Sequence, residues 1–319
     1  MTRFLIRRIL LGLLVLWVMT AVVFMMFFVA PHNVASLIAG RQATPETVAL
    51  VKHRLGLDRP VLDQYRSYIW NLLHGNLGYS FYNSTSVRSL IWTRVPVSLS
   101  LALGAAVIWL VLGVSAGVLA ATRPRTIADR TVTVAALFFY SMPAFLLGVI
   151  LFYLFFYRLH LAGIGWFPGN GYVAFTQSPL QWAQHLILPW FTLALVTAAT
   201  YARLTRGSML DVLGEDYIRT ARAKGLRERR VVYRHGLRSA LTPVVTQFGI
   251  DFGTLLGGVI IVENIFGLPG LGQLAVQSVT QQDLPVVIGT IILASAFIVA
   301  ANIVVDVCYA VLDPRVRVH

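Results

Sequence analysis

The chain is short of charge. Asp, Glu, Lys and Arg make up only 12% of its 319 residues, about half the ~25% of an ordinary soluble domain. It has just two lysines, Lys52 and Lys224. Neither stands in a Gly-x-x-x-x-Gly-Lys-Ser/Thr loop, where backbone amides and the lysine cradle nucleotide phosphates, so the chain is not expected to hydrolyse ATP itself. The single cysteine, Cys308, excludes an intramolecular disulfide and a Cys-x-x-Cys centre. His-Glu-x-x-His is absent and the seven histidines are scattered, which argues against a zinc peptidase. Gly-x-Ser-x-Gly occurs once, at Gly113–Gly117, but inside an uncharged apolar run and not on a strand-to-helix turn, so no nucleophile elbow is indicated. No catalytic and no metal-ligating residue is assigned.

The chain is instead rich in apolar residues, at 57% of the total. Uncharged apolar runs of 18 or more residues indicate transmembrane helices. Such runs fall at 9–30, 95–122, 131–157, 186–202, 240–262 (interrupted by Asp251) and 284–305. The fourth is short and the fifth is rich in glycine. The fold expected is all-α: a polytopic membrane protein with six transmembrane helices and a small external helical segment. Three parts follow: residues 1–30 as a tail and first span, 31–94 as the external segment, and 95–319 as a five-span core with an inside loop at 203–238. Arg3, Arg7 and Arg8 before the first run resemble the start of a signal peptide, but its 22 uncharged residues are too long for one.

Net charge is +13. A basic protein can bind nucleic acid, but here the distribution points to the membrane. With the N-terminus inside, 18 of the 26 Lys and Arg fall on inside segments and 8 outside. Seven of those eight lie in one loop of about 65 residues, long enough to cross regardless of charge. Both termini are therefore expected to be cytoplasmic.

In the external segment, Thr44-Pro45-Glu46 has the features of a helix start, with proline at the first helical position and an acid near the positive end of the dipole. Val61–Leu73 repeats apolar residues at helical spacing. Its aromatics, among them Tyr65, Tyr68, Trp70, Tyr79, Phe81, Tyr82 and Trp92, suit the membrane interface or the rim of the bundle. Two Gly/Pro-rich stretches, Gly163–Gly171 and Phe266–Gly272, are expected as loops. The second is either a plain turn or part of a pathway wall.

The densest charge lies between Arg203 and Arg238, which hold 10 of the 26 Lys and Arg. Within it, Glu215 and Asp216 complement a helix N-terminus. Arg219, Thr220, Ala221, Arg222, Ala223 and Lys224 continue the helix, and Gly225 can take the left-handed conformation that ends one. Tyr217, Ala221 and Lys224 share a stripe, and the small residues would let another surface approach closely. The plain alternative is a solvated, lipid-facing basic loop.

The string Tyr217-Ile-Arg-Thr-Ala-Arg-Ala-Lys-Gly225 resembles the cytoplasmic "EAA" loop of bacterial ABC-importer permeases, most closely the dipeptide/oligopeptide/nickel group. The resemblance extends in order along most of the chain: Arg7-Arg8, Leu55-Gly-Leu-Asp-Arg-Pro60, Leu73-His-Gly-Asn-Leu-Gly78, Arg94-Val-Pro-Val-Ser98, Ser141-Met-Pro-Ala-Phe145, Glu263-Asn-Ile-Phe-Gly-Leu-Pro-Gly-Leu-Gly272 and Asp313-Pro-Arg-Val-Arg317. The generic Glu-Ala-Ala triplet is replaced by Arg219-Thr220-Ala221. The resemblance implies a permease subunit in a bacterial plasma (inner) membrane. Its implied partners are a second, related permease, ATPase subunits that receive residues 215–225, an extracytoplasmic binding protein and the lipid bilayer, with no nucleic acid. The chain itself would hold no cofactor; ATP and magnesium would sit on the partners. Dipeptides, longer peptides, glutathione-like molecules and nickel complexes all remain open as substrates.

Charges inside a membrane are costly and usually face the bundle interior. That makes Asp251, Glu263 and Asp306, with Asn264 and Asn302, candidates for a pathway or gate. Hydrogen bonding between neighbouring helices is the structural alternative. A self-sufficient channel or secondary transporter would have to build its ion site from these same acids.

Overall fold

The structure is a computed structural model and describes residues 2–29, 34–39, 44–54, 58–80 and 82–312. The Leu55–Leu57 part of one motif, Phe81, the side chain of Asp306 and all of Asp313–Arg317 lie outside the described residues. Helices dominate. They run α1 Thr2–Phe24, α2 Val34–Ala39, α3 Pro45–Arg54, α4 Val61–Leu73, α5 Val87–Thr122, α6 Ile127–Ser141, α7 Ala144–Leu151, α8 Leu159–Leu161, α9 Pro179–Leu213, α10 Asp216–Ala223, α11 Glu228–Arg230, α12 Arg238–Ile265, α13 Leu271–Gln281 and α14 Leu284–Leu312. Wider π-type turns at Met25–Val29, Phe152–Arg158 and Val231–Leu237 extend α1, join α7 to α8 and join α11 to α12. Among the described residues the strands are a two-residue pair, β1 Tyr79–Ser80 and β2 Thr85–Ser86, antiparallel with Tyr79 opposite Ser86.

Among the described residues five helical stretches are long and apolar enough to cross a bilayer: Ile6–Val29, Val87–Thr122, Ala144–Leu161, Pro179–Leu213 and Leu284–Val304. The run at 240–262 lies inside α12, an unbroken helix of 28 residues. The run at 131–157 is not one helix. It breaks at Met142 and Pro143, between α6 and α7. Proline disfavours helical backbone in the residue before it, and Met142 is extended at φ −92° and ψ 124°. The second run is also longer than its apolar part. Helix α5 begins at Val87, directly after the hairpin, and its 36 residues would measure about 54 Å. The short fourth run is the middle of the 35-residue α9.

The chain divides into two compact units. One comprises residues 1–98 and 269–303. Its core is Val87, Ile91 and Val95 of α5 with Leu274 of α13 and Val286 of α14. Tyr65 and Tyr68 of α4 pack on Phe24 at the end of α1, at ring distances of 5.2 and 5.7 Å. Trp70, Tyr79, Tyr82 and Trp92 are exposed, so the expected aromatic rim divides into a packed pair and an outward set. A buried polar clip fixes the hairpin. Ser80 Oγ donates to Asp283 Oδ2, and Asn83 Nδ2 donates to the same oxygen at 3.3 Å. Helix α13 falls where the sequence shows a Gly/Pro loop followed by polar residues, and it was not expected.

The second unit comprises residues 99–268 and 304–319. Helices α5 and α9 lie backbone to backbone along Gly113-x-x-x-Gly117. A Cβ on Gly113 would stand 2.5 Å from Tyr201 Cβ, and one on Gly117 2.5 Å from Thr205 Cβ. Small-x-x-x-small spacing lets membrane helices approach this closely. Further along, the Trp190 indole covers Gly104 and donates through Nε1 to the Ser100 carbonyl at 2.9 Å.

Candidate functional site

Helix α9 does not stop where its apolar run ends at Ala202. It carries straight on through Arg203, Arg206 and Asp211 to Leu213, so the start of the basic insert is a stalk continuous with a span. Gly214 ends the stalk. Glu215 then turns extended (φ −68°, ψ 149°), and its carbonyl accepts the amides of Ile218 and Arg219. Asp216 opens α10 in the first turn, where a carboxylate favours the dipole. The helix is a little over two turns long, shorter than the three expected from Glu215–Lys224.

Its C-terminus is closed by a Schellman motif. The Gly225 amide donates to the Arg222 carbonyl at 2.9 Å and the Leu226 amide to the Ala221 carbonyl at 3.3 Å. Gly225 takes φ +76°, as the sequence indicates. Leu226 packs beneath with Ile218, Ala221 and Val231, and with Val212 and Leu213 of the stalk. Ile218 and Ala221 are buried, and this corrects the expected stripe. Ala221 faces the chain's own core and presents nothing outward. Glu215, Asp216, Tyr217, Arg219, Thr220, Arg222, Ala223, Lys224 and Gly225 are exposed. Ile218 shares a stripe with Ala221, Arg222 and Gly225 in the sequence but is not among the expected site residues, and its burial holds the helix down. Its spacing of three from Ala221 was the available signal.

Two ion pairs brace this assembly. Arg222 donates to both carboxylate oxygens of Glu228, at 3.2 and 2.8 Å. That hydrogen bond holds the Glu228 carboxyl below its ordinary range. Arg206 on the stalk grips Asp129 of α6 with two bonds, 2.6 Å from Nε and 3.0 Å from Nη2. Asp129 also accepts the Arg125 amide at 2.9 Å. These bonds, the one from Arg206 first, bring the Asp129 carboxyl down to about 2. Asp129 is buried. It is the one acid in the basic loop 123–130, and that isolation was the clue to a partner.

The pathway candidates separate. Asp251, Glu263 and Asn264 share α12. Asp251 is half-buried, accepts from Gln247 Nε2 at 2.9 Å and lies beside Tyr201, whose ring meets Trp109 at 6.2 Å. Glu263 is fully buried. The Asn264 amide folds back onto the Ile260 carbonyl at 2.7 Å. Asn302 is exposed on α14, and the Asp306 side chain lies outside the described residues.

Long apolar helices with a short basic helix fixed to the end of one of them define a multi-pass helical membrane transport component. The family is specific. The chain belongs to the binding-protein-dependent transport system inner membrane components: that family's model matches residues 113–318, and the model of its N-terminal part matches residues 1–102. The chain is 43% identical over 317 residues to a protein of Brucella abortus (strain 2308) named as a peptide transport system permease, covering 99% of each. It is 42% identical over 318 residues to the glutathione transport system permease protein GsiC of Escherichia coli (strain K12), again covering 99% of each. The resemblance carried by the motifs is thereby borne out. These relatives are permease components of transporters and not enzymes.

Proposed function

We propose that the chain is a permease subunit of an ATP-driven importer of peptides, lying in a bacterial plasma membrane with both termini cytoplasmic. A second, related permease completes the pathway. ATPase subunits, which hold ATP and magnesium, receive α10, and an extracytoplasmic binding protein delivers substrate. The names of the peptide and glutathione permeases support the substrate class.

The observation that carries the coupling role is the build of α10. Its inner face is anchored by Ile218 and Ala221, its end is closed at Gly225, and its outer face is bare. A helix held this way moves as one body with the stalk of α9. Force applied by a partner at Tyr217 or Lys224 then reaches the span directly, and the nucleotide state of the partner biases the bundle between two states.

The test is Tyr217→Ala combined with Lys224→Glu, made in the complete importer. Truncating one central interface tyrosine costs about 2 kcal/mol of association. Transport should therefore fall by more than about tenfold while the amount of chain in the membrane is unchanged. Full-rate transport by the double variant would end the coupling role. Uptake by the purified chain alone under an ion gradient would favour a self-sufficient transporter instead.

A further inference from the structure

The unit formed by residues 1–98 and 269–303 contains a cavity of about 620 Å³ that the transport reading does not use. That volume lies within the ~300–1,000 Å³ of ordinary small-ligand sites. Its apolar wall comes from the ends of two spans: Phe24 and Phe28 at the end of the first, Ile288 and Ile292 at the start of the last. Its other wall is α3, α4 and the turn before β1, which add polar groups, Gln64 and Asn71 among them. Among the described residues the lining includes one arginine, Arg59, and no Asp or Glu. Arg59 makes no ion pair among the described residues. The Tyr68 hydroxyl, on the same lining, is buried with no hydrogen-bond partner among the described residues.

We propose that this cavity binds an anionic phospholipid from the surrounding bilayer, with an acyl chain against the phenylalanine and isoleucine wall and the phosphate at Arg59. The chemistry selects this occupant. A free phosphate would leave the apolar wall unused. A zwitterionic peptide would bring an ammonium group to a lining whose described residues offer no carboxylate. A lipid uses both ends of the cavity and reaches it from the span ends without leaving the membrane surface. Tyr68 can then donate its hydroxyl to an ester or phosphate oxygen.

The experiment is native mass spectrometry of the full chain, delipidated in detergent and titrated with phosphatidylglycerol, phosphatidylcholine and glycerol 3-phosphate. Phosphatidylglycerol should bind in preference to phosphatidylcholine. Arg59→Gln should weaken phosphatidylglycerol about fivefold, the worth of one basic residue at an anionic headgroup, and leave phosphatidylcholine unchanged. Ser67→Trp, which fills the cavity from an exposed lining position, should weaken both lipids. Equal binding of the two lipids, an unchanged Arg59→Gln, glycerol 3-phosphate binding as tightly as phosphatidylglycerol, or displacement of the lipid by a dipeptide would each overturn the proposal. Arg59 is exposed, so its variant stands as a test even if Ser67→Trp fails to fold.

Discussion

At the scale of single residues, Asp129 and Gly225 do the most to place the basic helix. Asp129 titrates near 2 in the folded chain, below its ordinary 3.8. A carboxyl lowered by folding contributes stability that is complete above the ordinary value and is lost as pH falls through the folded one. The pair with Arg206 is therefore fully formed from pH 5 to 8. Asp129→Asn should lower the thermal midpoint of the detergent-purified protein by a similar few degrees at pH 5, 6, 7 and 8. A gap that closes toward pH 5 would show that the pair is not held as described. Gly225 is a separate case. Nothing lies within 4 Å of where its Cβ would be, so replacing it strains only the backbone, by about 1–2 kcal/mol for an ordinary side chain. Gly225→Ala should slow transport several-fold, and Gly225→Asn should recover most of the loss, because asparagine tolerates the left-handed region. Equal loss in both, measured as uptake rate, would point instead to a partner surface pressed against this position. Gly225 was legible from sequence because a helix end is a local event. Asp129 was not, since its partner stands 77 residues away.

At the scale of elements, legibility depends on contrast along the chain. Helix α4 matches its expected limits, 61–73, because its polar and apolar residues alternate at helical spacing and Pro60 precedes it. The break at Pro143 hides inside a run that is apolar on all sides, where periodicity carries no information and only the proline marks the turn. Helix α13 was missed for the opposite reason: Gly272 and its polar residues weaken every helix signal except its apolar spacing. The α5–α9 seam is intermediate. Gly113-x-x-x-Gly117 is visible in the sequence, but which helix it meets is a tertiary fact. That seam carries a contrast between two glycines. Gly113→Ala must push aside Tyr201 and the Ala198 carbonyl, 2.5 and 2.9 Å away, at about 1–3 kcal/mol of overpacking. Gly207, in α9, has nothing within 4 Å, so Gly207→Ala should gain up to about 1 kcal/mol from helix propensity alone. Thermal unfolding of the two variants should move in opposite directions. A neutral Gly113→Ala would mean that the helices are not in backbone contact.

At the scale of the whole molecule, topology turns on one helix. Five crossings would leave the termini on opposite sides, and six return them to the same side. The basic insert holds 10 of the 26 Lys and Arg, which by the positive-inside rule keeps it cytoplasmic. If α12 crosses, the polar α13 beyond it lies outside. If α12 does not cross, α13 stays with the insert. At 28 residues α12 is about 42 Å long, more than the ~30 Å hydrocarbon core requires. Its one acid well inside the run, Asp251, is half-buried and bonded to Gln247, so it does not bar insertion. Two exposed positions on either side of α12 decide the matter, Arg227 and Thr280. With Cys308 replaced by serine, Thr280→Cys in intact cells should react with a maleimide that cannot cross membranes, and Arg227→Cys should react only after the membrane is permeabilised. Labelling of both from the same side would remove α12 from the set of spans and, with it, the shared side of the two termini.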